Sequence, residues 1–255
     1  EQGNVLNYLR GDTSKESTLS VRKTFRYRAS VLGDIVDSAA TYVGPPSEVY
    51  ADAFNPGYST FKAAKATRKP VVYVGANDGM LHAFDARVDS TDGGKELFAL
   101  VPNAVFNGPD NQPSISGLKA LTDNGYLHRY YVNGTPFVRD VDFNRAGTSA
   151  TPADSDWRSL LVVGLGKGGR SYVAVDVTDP SSFTSETNVA GKVLWEFTHE
   201  DMGFSYGRPF IVKTPKWGWV VVIAAGYNNT LGTSTGSSPG KGVIFVLNPK
   251  NGTLL

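Results

Sequence analysis

The sequence predicts an all-β fold, a β-propeller of four-stranded antiparallel blades with about three blades present and the ring incomplete. The first observation is a hairpin pattern at residues 71–86, where two apolar runs flank an Asn-Asp-Gly turn. Asn77 and Gly79 accept positive φ at little cost, so the chain can reverse tightly there. The second observation is that this hairpin recurs, and four-stranded units in series are typical of propellers.

The second and third copies of the hairpin lie at residues 160–177 and 220–248. A Gly-Lys-x-Leu-aromatic strand follows the first copy at residues 94–100 and the second copy at residues 191–197. A further strand is predicted before each hairpin, within residues 30–42, 130–138 and 207–213. Each unit therefore has four strands, and we expect the third unit to be truncated inside a strand at Leu255.

These repeats predict the domain organisation. Residues 1–24 form an N-terminal extension, and residues 25–255 form the partial propeller. The predicted segments of the propeller are blade 1 at about 25–101, a Pro/Asn/Gly/Ser-rich insertion at 102–126, blade 2 at about 127–199 and blade 3 at about 203–255.

Composition excludes several classes of function. The chain has 255 residues and a net charge of +1, with 25 Lys and Arg against 24 Asp and Glu, so no global field attracts nucleic acid. It has no cysteine, which excludes disulfides and thiolate chemistry. We expect no transmembrane segment, because no apolar run approaches the roughly 18 residues that a spanning helix needs. Residues 1–3 lack the features of a signal peptide, so an export signal would lie upstream or have been removed.

No pattern of residues predicts catalysis, and the chain is predicted not to be an enzyme. The glycine-rich run at residues 164–170 superficially resembles a phosphate loop, but it lacks the Gly-Lys-Ser/Thr ending and a following helix, so we interpret it as a hairpin turn. His82, His128 and His199 are far apart in the sequence. We interpret them as packing or rim residues rather than metal ligands.

Asp140, Asp142 and Asn144 alternate in the way that a calcium loop begins. The pattern then requires Gly at the sixth position and Glu at the twelfth, where Arg145 and Thr151 stand instead. We therefore interpret the three side chains as the solvated face of a strand. No metal ligand is assigned in this chain.

Two groups of residues are candidates for binding. Arg10, Gly11 and Asp12 form an Arg-Gly-Asp tripeptide of the kind that integrins bind; the alternative is a chance match in a frayed terminus. Trp217 and Trp219 flank a glycine in a turn and are predicted to be an exposed aromatic pair. The alternative for the tryptophans is packing in the core or at the rim.

Six segments together resemble one protein family, and they cover most of the chain from Phe25 onward: residues 25–38, 42–46, 72–84, 164–169, 174–180 and 205–209. They are similar to the C-terminal domain of the PilC/PilY family of type IV pilus tip-associated adhesins. Single hairpins are also similar to those of pyrroloquinoline-quinone enzymes. The Leu-Gly-Asp-Ile-Val run at residues 32–36 favours the pilus family.

This resemblance implies a modified propeller at the bacterial surface or pilus tip, exported and associated with the outer membrane. It also implies support of pilus extension against retraction, contact with host cells, and minor pilins or a pilus tip complex as partners. A host receptor such as an integrin would bind the tripeptide at Arg10 to Asp12. The family's calcium loop lies in a later part of its propeller, so we expect no cofactor in this chain.

The sequence therefore predicts a binding module that acts through loops on a rigid scaffold. The candidate loops are residues 52–69, 102–126 and 230–240. Two alternatives stay open. One is a quinoprotein-type dehydrogenase, and the other is a non-catalytic scaffold of outer-membrane assembly.

Overall fold

Three antiparallel sheets follow one another along the chain in the computed structural model, which describes residues 2–146, 154–229 and 240–255. Sheet 1 consists, in order, of β1 (Thr41–Val43), β2 (Val71–Gly75), β3 (Leu81–Asp85) and β4 (Glu96–Leu100). Sheet 2 consists of β5 (Phe137–Asp142), β6 (Trp157–Gly164), β7 (Tyr172–Asp176) and β8 (Val193–Phe197). Sheet 3 consists of β9 (Phe210–Thr214), β10 (Gly218–Ala224) and β11 (Ile244–Leu247).

Short helices lie before and between the strands. The α-helices are α1 (Gln2–Leu9), α2 (Tyr58–Ala64) and α3 (Glu186–Ala190). Turns of 3-10 helix lie at Asn103–Phe106, Leu118–Thr122, Phe143–Arg145 and Pro180–Ser182. In the described part of the chain, no helix combines the length and the apolar character that crossing a membrane requires.

The predicted repeat is confirmed by an irregularity that sheets 1 and 2 share. The pairing of β3 with β4 shifts register after Ala83, which lies opposite Phe98. The pairing of β7 with β8 shifts after Ala174, which lies opposite Trp195. In sheet 3 an isolated bridge between Leu247 and Leu254 stands where the fourth strand would run.

In sheets 1 and 2 the first strand lies later in the chain than predicted. Only the last two residues of the predicted segments 30–42 and 130–138 belong to β1 and β5, whereas four of the seven residues of 207–213 belong to β9. Residues earlier in these segments form backbone hydrogen bonds to loop residues instead of to a neighbouring strand. The Gly33 N–H donates to Asp78 Oδ2 over 2.7 Å, and the Tyr131 N–H donates to Asn77 Oδ1 over 3.1 Å.

A glycine ends β2 and β6 because the chain entering the next sheet crosses directly over it. A Cβ atom on Gly75 would lie 2.3 Å from the carbonyl oxygen of Val132, and one on Gly164 would lie 2.5 Å from that of Ser205. Neither approach leaves room for a side chain. The repeated glycines therefore mark the crossings between successive sheets.

Two hydrophobic cores lie on opposite faces of sheet 2. The first core joins sheets 1 and 2, and the second joins sheets 2 and 3. In β6, Leu161 and Val163 point into the first core, whereas Leu160 and Val162 point into the second. Because both faces are covered, β6 is apolar at successive positions. Among the described residues sheets 1 and 3 share no core, so the arc of sheets is not closed.

The segments outside the sheets also pack against this arc. Tyr8 of α1 is buried, and so are three apolar side chains of the 102–126 insertion, Val105, Leu118 and Leu121. The insertion is therefore in part a cover of the first core rather than a free binding loop. The 230–240 loop lies, except for Gly240, outside the described residues. The boundary between an extension at 1–24 and the propeller stays a prediction.

Candidate functional site

The Arg-Gly-Asp tripeptide forms the C-terminal cap of α1. The Gly11 N–H donates to the Tyr8 carbonyl over 3.0 Å, and the Asp12 N–H donates to the Asn7 carbonyl over 2.9 Å. This pair of bonds is a Schellman motif, which requires a left-handed residue just after the helix. Gly11 supplies it with φ of 101°. The glycine of the tripeptide thus has a structural role that is independent of binding.

Both charged side chains of the tripeptide are exposed. Arg10 Nη2 lies 2.7 Å from Glu186 Oε1, in an ion pair whose side chains are 53% and 83% exposed. Asp12 Oδ1 accepts a hydrogen bond from the Ser14 N–H over 2.8 Å, and this bond lowers the pKa of Asp12. An exposed ion pair contributes at most about 1 kcal/mol to the free energy of folding. A partner can therefore displace Glu186 from Arg10 at little cost.

The prediction of an exposed Trp217 and Trp219 pair is wrong. Trp219 is only 3% exposed and lies on the face of β10 that carries Val221 and Ile223 into the second core. Trp217 is half-buried, with the Lys216 ammonium 4.2 Å from its ring centroid. The alternation of faces along β10 predicts this burial, because Trp219 lies on the same face as Val221 and Ile223, which point into the second core.

Trp219 belongs to an aromatic cluster that fixes the predicted 52–69 loop. Its ring centroid lies 5.4 Å from that of Tyr50 and 6.0 Å from that of Trp157. Tyr58 of α2 packs 4.8 Å from Trp157, and its hydroxyl donates to Asp140 Oδ2 over 2.8 Å. Burial, together with the Asp140 charge, raises the pKa of Tyr58. The 52–69 segment is thus held in place through α2.

The predicted solvated face at Asp140, Asp142 and Asn144 is also wrong. Asp140 and Asp142 are both buried. Asp140 Oδ1 accepts from the Ser159 hydroxyl over 2.5 Å, and Asp142 accepts from the Asn144 backbone N–H over 3.1 Å and from the Arg145 guanidinium. These oxygens hold elements together, so they are not arranged to bind calcium.

The three histidines occupy separate environments. His82 is 4% exposed, with Nδ1 2.5 Å from Glu96 Oε1 and Nε2 3.1 Å from Asp78. Burial acts to lower the pKa of His82, but hydrogen bonds to Asp78 and Glu96 outweigh it and raise the pKa to about 9. His128 is half exposed and its Nε2 lies 2.8 Å from Asp34.

His199 belongs to a group of three consecutive residues that offers metal-ligand atoms. Ligand atoms of His199, Glu200 and Asp201 lie within 4.8 Å of one another. Exposed acidic groups are common without an ion, and no second feature of the described residues points to a ligand here. This group therefore does not change the prediction that no residue is assigned to a metal. The run at 164–170 is the turn between β6 and β7, as predicted.

Comparison with known proteins identifies the family. The family model for the PilY1 β-propeller domain matches residues 32–255. The chain belongs to the PilY1 β-propeller family. It is 40% identical over 232 residues to a type IV pilus biogenesis factor PilY1 homolog of Xylella fastidiosa, a match that covers 88% of this chain and 16% of that protein.

Other PilY1 proteins agree with this assignment. The chain is 38% identical over 232 residues to the type IV pilus biogenesis factor PilY1 of Pseudomonas aeruginosa strain PAK, covering 87% of this chain and 17% of that protein. The crystal structure of the P. aeruginosa PilY1 C-terminal domain is similar, with a TM-score of 0.56 and 30% identity over 84% of this chain and 35% of that one. This chain thus spans about a sixth of its curated PilY1 relatives, which are named as biogenesis factors and not as enzymes.

Proposed function

We propose that this chain is the propeller module of a type IV pilus biogenesis factor that is exported to the bacterial surface and supports pilus extension. The match of residues 32–255 to the PilY1 propeller carries this proposal. The names of relatives at 38–40% identity supply the biological process. We further propose that the module is not catalytic and binds its partners by surface complementarity.

The partners that fit this function are components of the pilus tip, such as minor pilins. The arc of sheets supports such a role because its middle sheet is covered on both faces, which gives a rigid platform for surface loops. Rigid platforms bind with little loss of conformational entropy.

We also propose that the same module attaches the pilus to host cells through Arg10 and Asp12. Both side chains are exposed, and the Schellman motif at Gly11 presents them on either side of a tight bend. An integrin is the receptor class that fits a guanidinium and a carboxylate in this arrangement.

One genetic experiment tests both proposals. In the bacterium that encodes the chain, the gene is deleted and one of three versions is re-expressed. These are the wild type, a variant that lacks residues 32–255, and Asp12→Ala. We expect wild type and Asp12→Ala to restore surface pili, counted by electron microscopy, and the deletion to leave at least tenfold fewer. We expect Asp12→Ala to lower attachment to integrin-bearing cells at least fivefold.

The control for attachment is Asp89→Ala, which removes another exposed carboxylate in a loop of sheet 1. It should attach like wild type. Normal piliation without residues 32–255 would refute the pilus proposal. Equal attachment by Asp12→Ala and Asp89→Ala would refute the adhesive role of the tripeptide and leave the pilus proposal intact.

A further inference from the structure

A cleft of about 630 Å³ lies between α2 and the edge of sheet 2 where β6 begins and β7 ends. Its volume falls within the roughly 300–1,000 Å³ of small-molecule sites. The walls come from distant parts of the sequence, around Phe61, Arg158 and Asp179. The cleft is separate from the Arg-Gly-Asp tripeptide, which is absent from its lining.

The charged groups of the cleft balance one another. Three basic side chains and three acidic side chains line it, namely Lys65, Arg158 and Lys192 with Asp156, Asp176 and Asp179. Arg158 Nε lies 2.7 Å from Asp156 Oδ1, and its Nη1 lies 3.5 Å from Asp176 Oδ2. Lys65 Nζ lies 3.4 Å from Asp179 Oδ2. A polyphosphate or other strongly anionic ligand would have to compete with these carboxylates.

The uncharged lining combines hydroxyl groups with an aromatic side. Thr60, Ser155 and Ser182 contribute hydroxyls, and the half-buried Phe61 contributes a ring. Trp157 is only 6% exposed and lies behind Phe61, with 6.4 Å between the two ring centroids. A saccharide matches both features, because its hydroxyls donate and accept hydrogen bonds and one face of its ring is made of C–H groups. A carboxylate or guanidinium group that is already paired with an opposite charge still has further acceptor or donor positions, and these can bind the hydroxyls of such a ligand.

The walls of the cleft are held by interactions beneath them. Trp157 Nε1 donates to the Pro56 carbonyl over 2.9 Å, and this bond ties sheet 2 to the segment before α2. Asp176 Oδ1 accepts from the Thr178 N–H over 2.9 Å, and both residues are buried. A site whose side chains are already ordered loses less entropy on binding.

From this geometry we infer that the cleft binds a neutral mono- or disaccharide. The aromatic side contacts the C–H face of the sugar, and the paired charges and hydroxyls bind its hydroxyl groups. This inference goes beyond the proposed pilus function and does not depend on it, because the cleft acts as a site in the purified chain alone.

The test measures binding of the full 255-residue chain to an array of neutral glycans. The saccharide that gives the strongest signal on the array is then titrated, in free form, against the chain to measure its affinity. We expect Thr60→Trp, which places a large side chain in the cleft from an exposed position, to weaken binding at least tenfold. Arg158→Ala, which removes a donor from the opposite wall, should weaken binding by a similar factor.

The matched control is Lys62→Ala, which also removes one positive charge. Lys62 lies on α2, outside the cleft lining, and donates to the Glu48 carbonyl. It should bind within twofold of wild type. The inference would be overturned if no glycan bound above background. It would also be overturned if Thr60→Trp, folded as judged by a native circular dichroism spectrum, bound the saccharide as tightly as wild type. Neither result bears on the count of surface pili, which tests the proposed function separately.

Discussion

Asp140 joins three segments that are distant in sequence. Its carboxylate accepts from Tyr58 of α2 and from Ser159 of β6, and the Arg68 guanidinium donates to the same Ser159 hydroxyl over 2.5 Å. Sequence spacing could not predict this arrangement, because the partners lie 82 and 19 residues away. Alternation along the strand correctly placed Asp140 and Asp142 on one face, but only tertiary packing decides whether a face is solvated.

His82 provides a pH-dependent test at the same scale. Its folded pKa, about 9, lies above the unfolded value of about 6.5, so the charged ring stabilises the fold fully below about pH 6.5. That contribution is lost as pH rises towards 9. We expect the difference in unfolding free energy between wild type and His82→Gln to shrink by about 1–3 kcal/mol between pH 6 and pH 9.5, measured by urea denaturation.

The matched control is His128→Gln at the rim. The His128 side chain is 48% exposed and faces the 52% exposed Asp34, and exposed pairs contribute little to stability. Its stability difference from wild type should stay within about 0.5 kcal/mol over the same range. A pH-independent difference for His82→Gln would show that His82 is not held between Asp78 and Glu96 as a charged group.

At the scale of elements, the end of α1 depends on Gly11. Gly11→Ala places a Cβ in a left-handed conformation, which costs about 1–2 kcal/mol, and it also brings that atom to 3.0 Å from Val31 Cγ1. We expect the variant to lose about that much stability in thermal or urea unfolding.

Gly3→Ala is the control in the same helix. Gly3 lies within α1 and has open space around its Cβ position, so alanine should stabilise the helix by about 0.5–1 kcal/mol. If both substitutions change stability equally, Gly11 is not the left-handed cap of α1, and the presentation of Arg10 and Asp12 would need revision.

The elements differ in how well the sequence predicts them. The hairpins β2–β3 and β6–β7 are predicted well, because β-branched runs and turn glycines agree with the tertiary structure. The segments before β1 and β5 have strand-like composition, yet their backbone groups bond to loops such as Asn77 and Asp78. Helix α2 was missed because its anchor is tertiary, through Tyr58 and the aromatic cluster.

In the described residues the three sheets form an arc in which the middle sheet is enclosed by its neighbours. The repeat predicted this architecture, because a unit that recurs packs against its own copies. The saccharide cleft could not be predicted, since Phe61, Arg158 and Asp179 come together only after sheet 2 and α2 have packed. Repeats are visible in one sequence, whereas contacts between unlike segments are not.

Native-state hydrogen exchange tests the enclosed middle sheet most directly. β6 and β10 are each paired on both edges, and β6 is buried on both faces from Leu160 to Val163. The second face of β10 is buried at Val220 but uncovered further along, where Ala224 and its partner Ile244 are exposed. We predict that the amides of Leu160 to Val163 exchange more slowly than those of Val222 to Ala224, with a higher opening free energy. Equal or slower exchange in β10 would contradict an arc built around sheet 2.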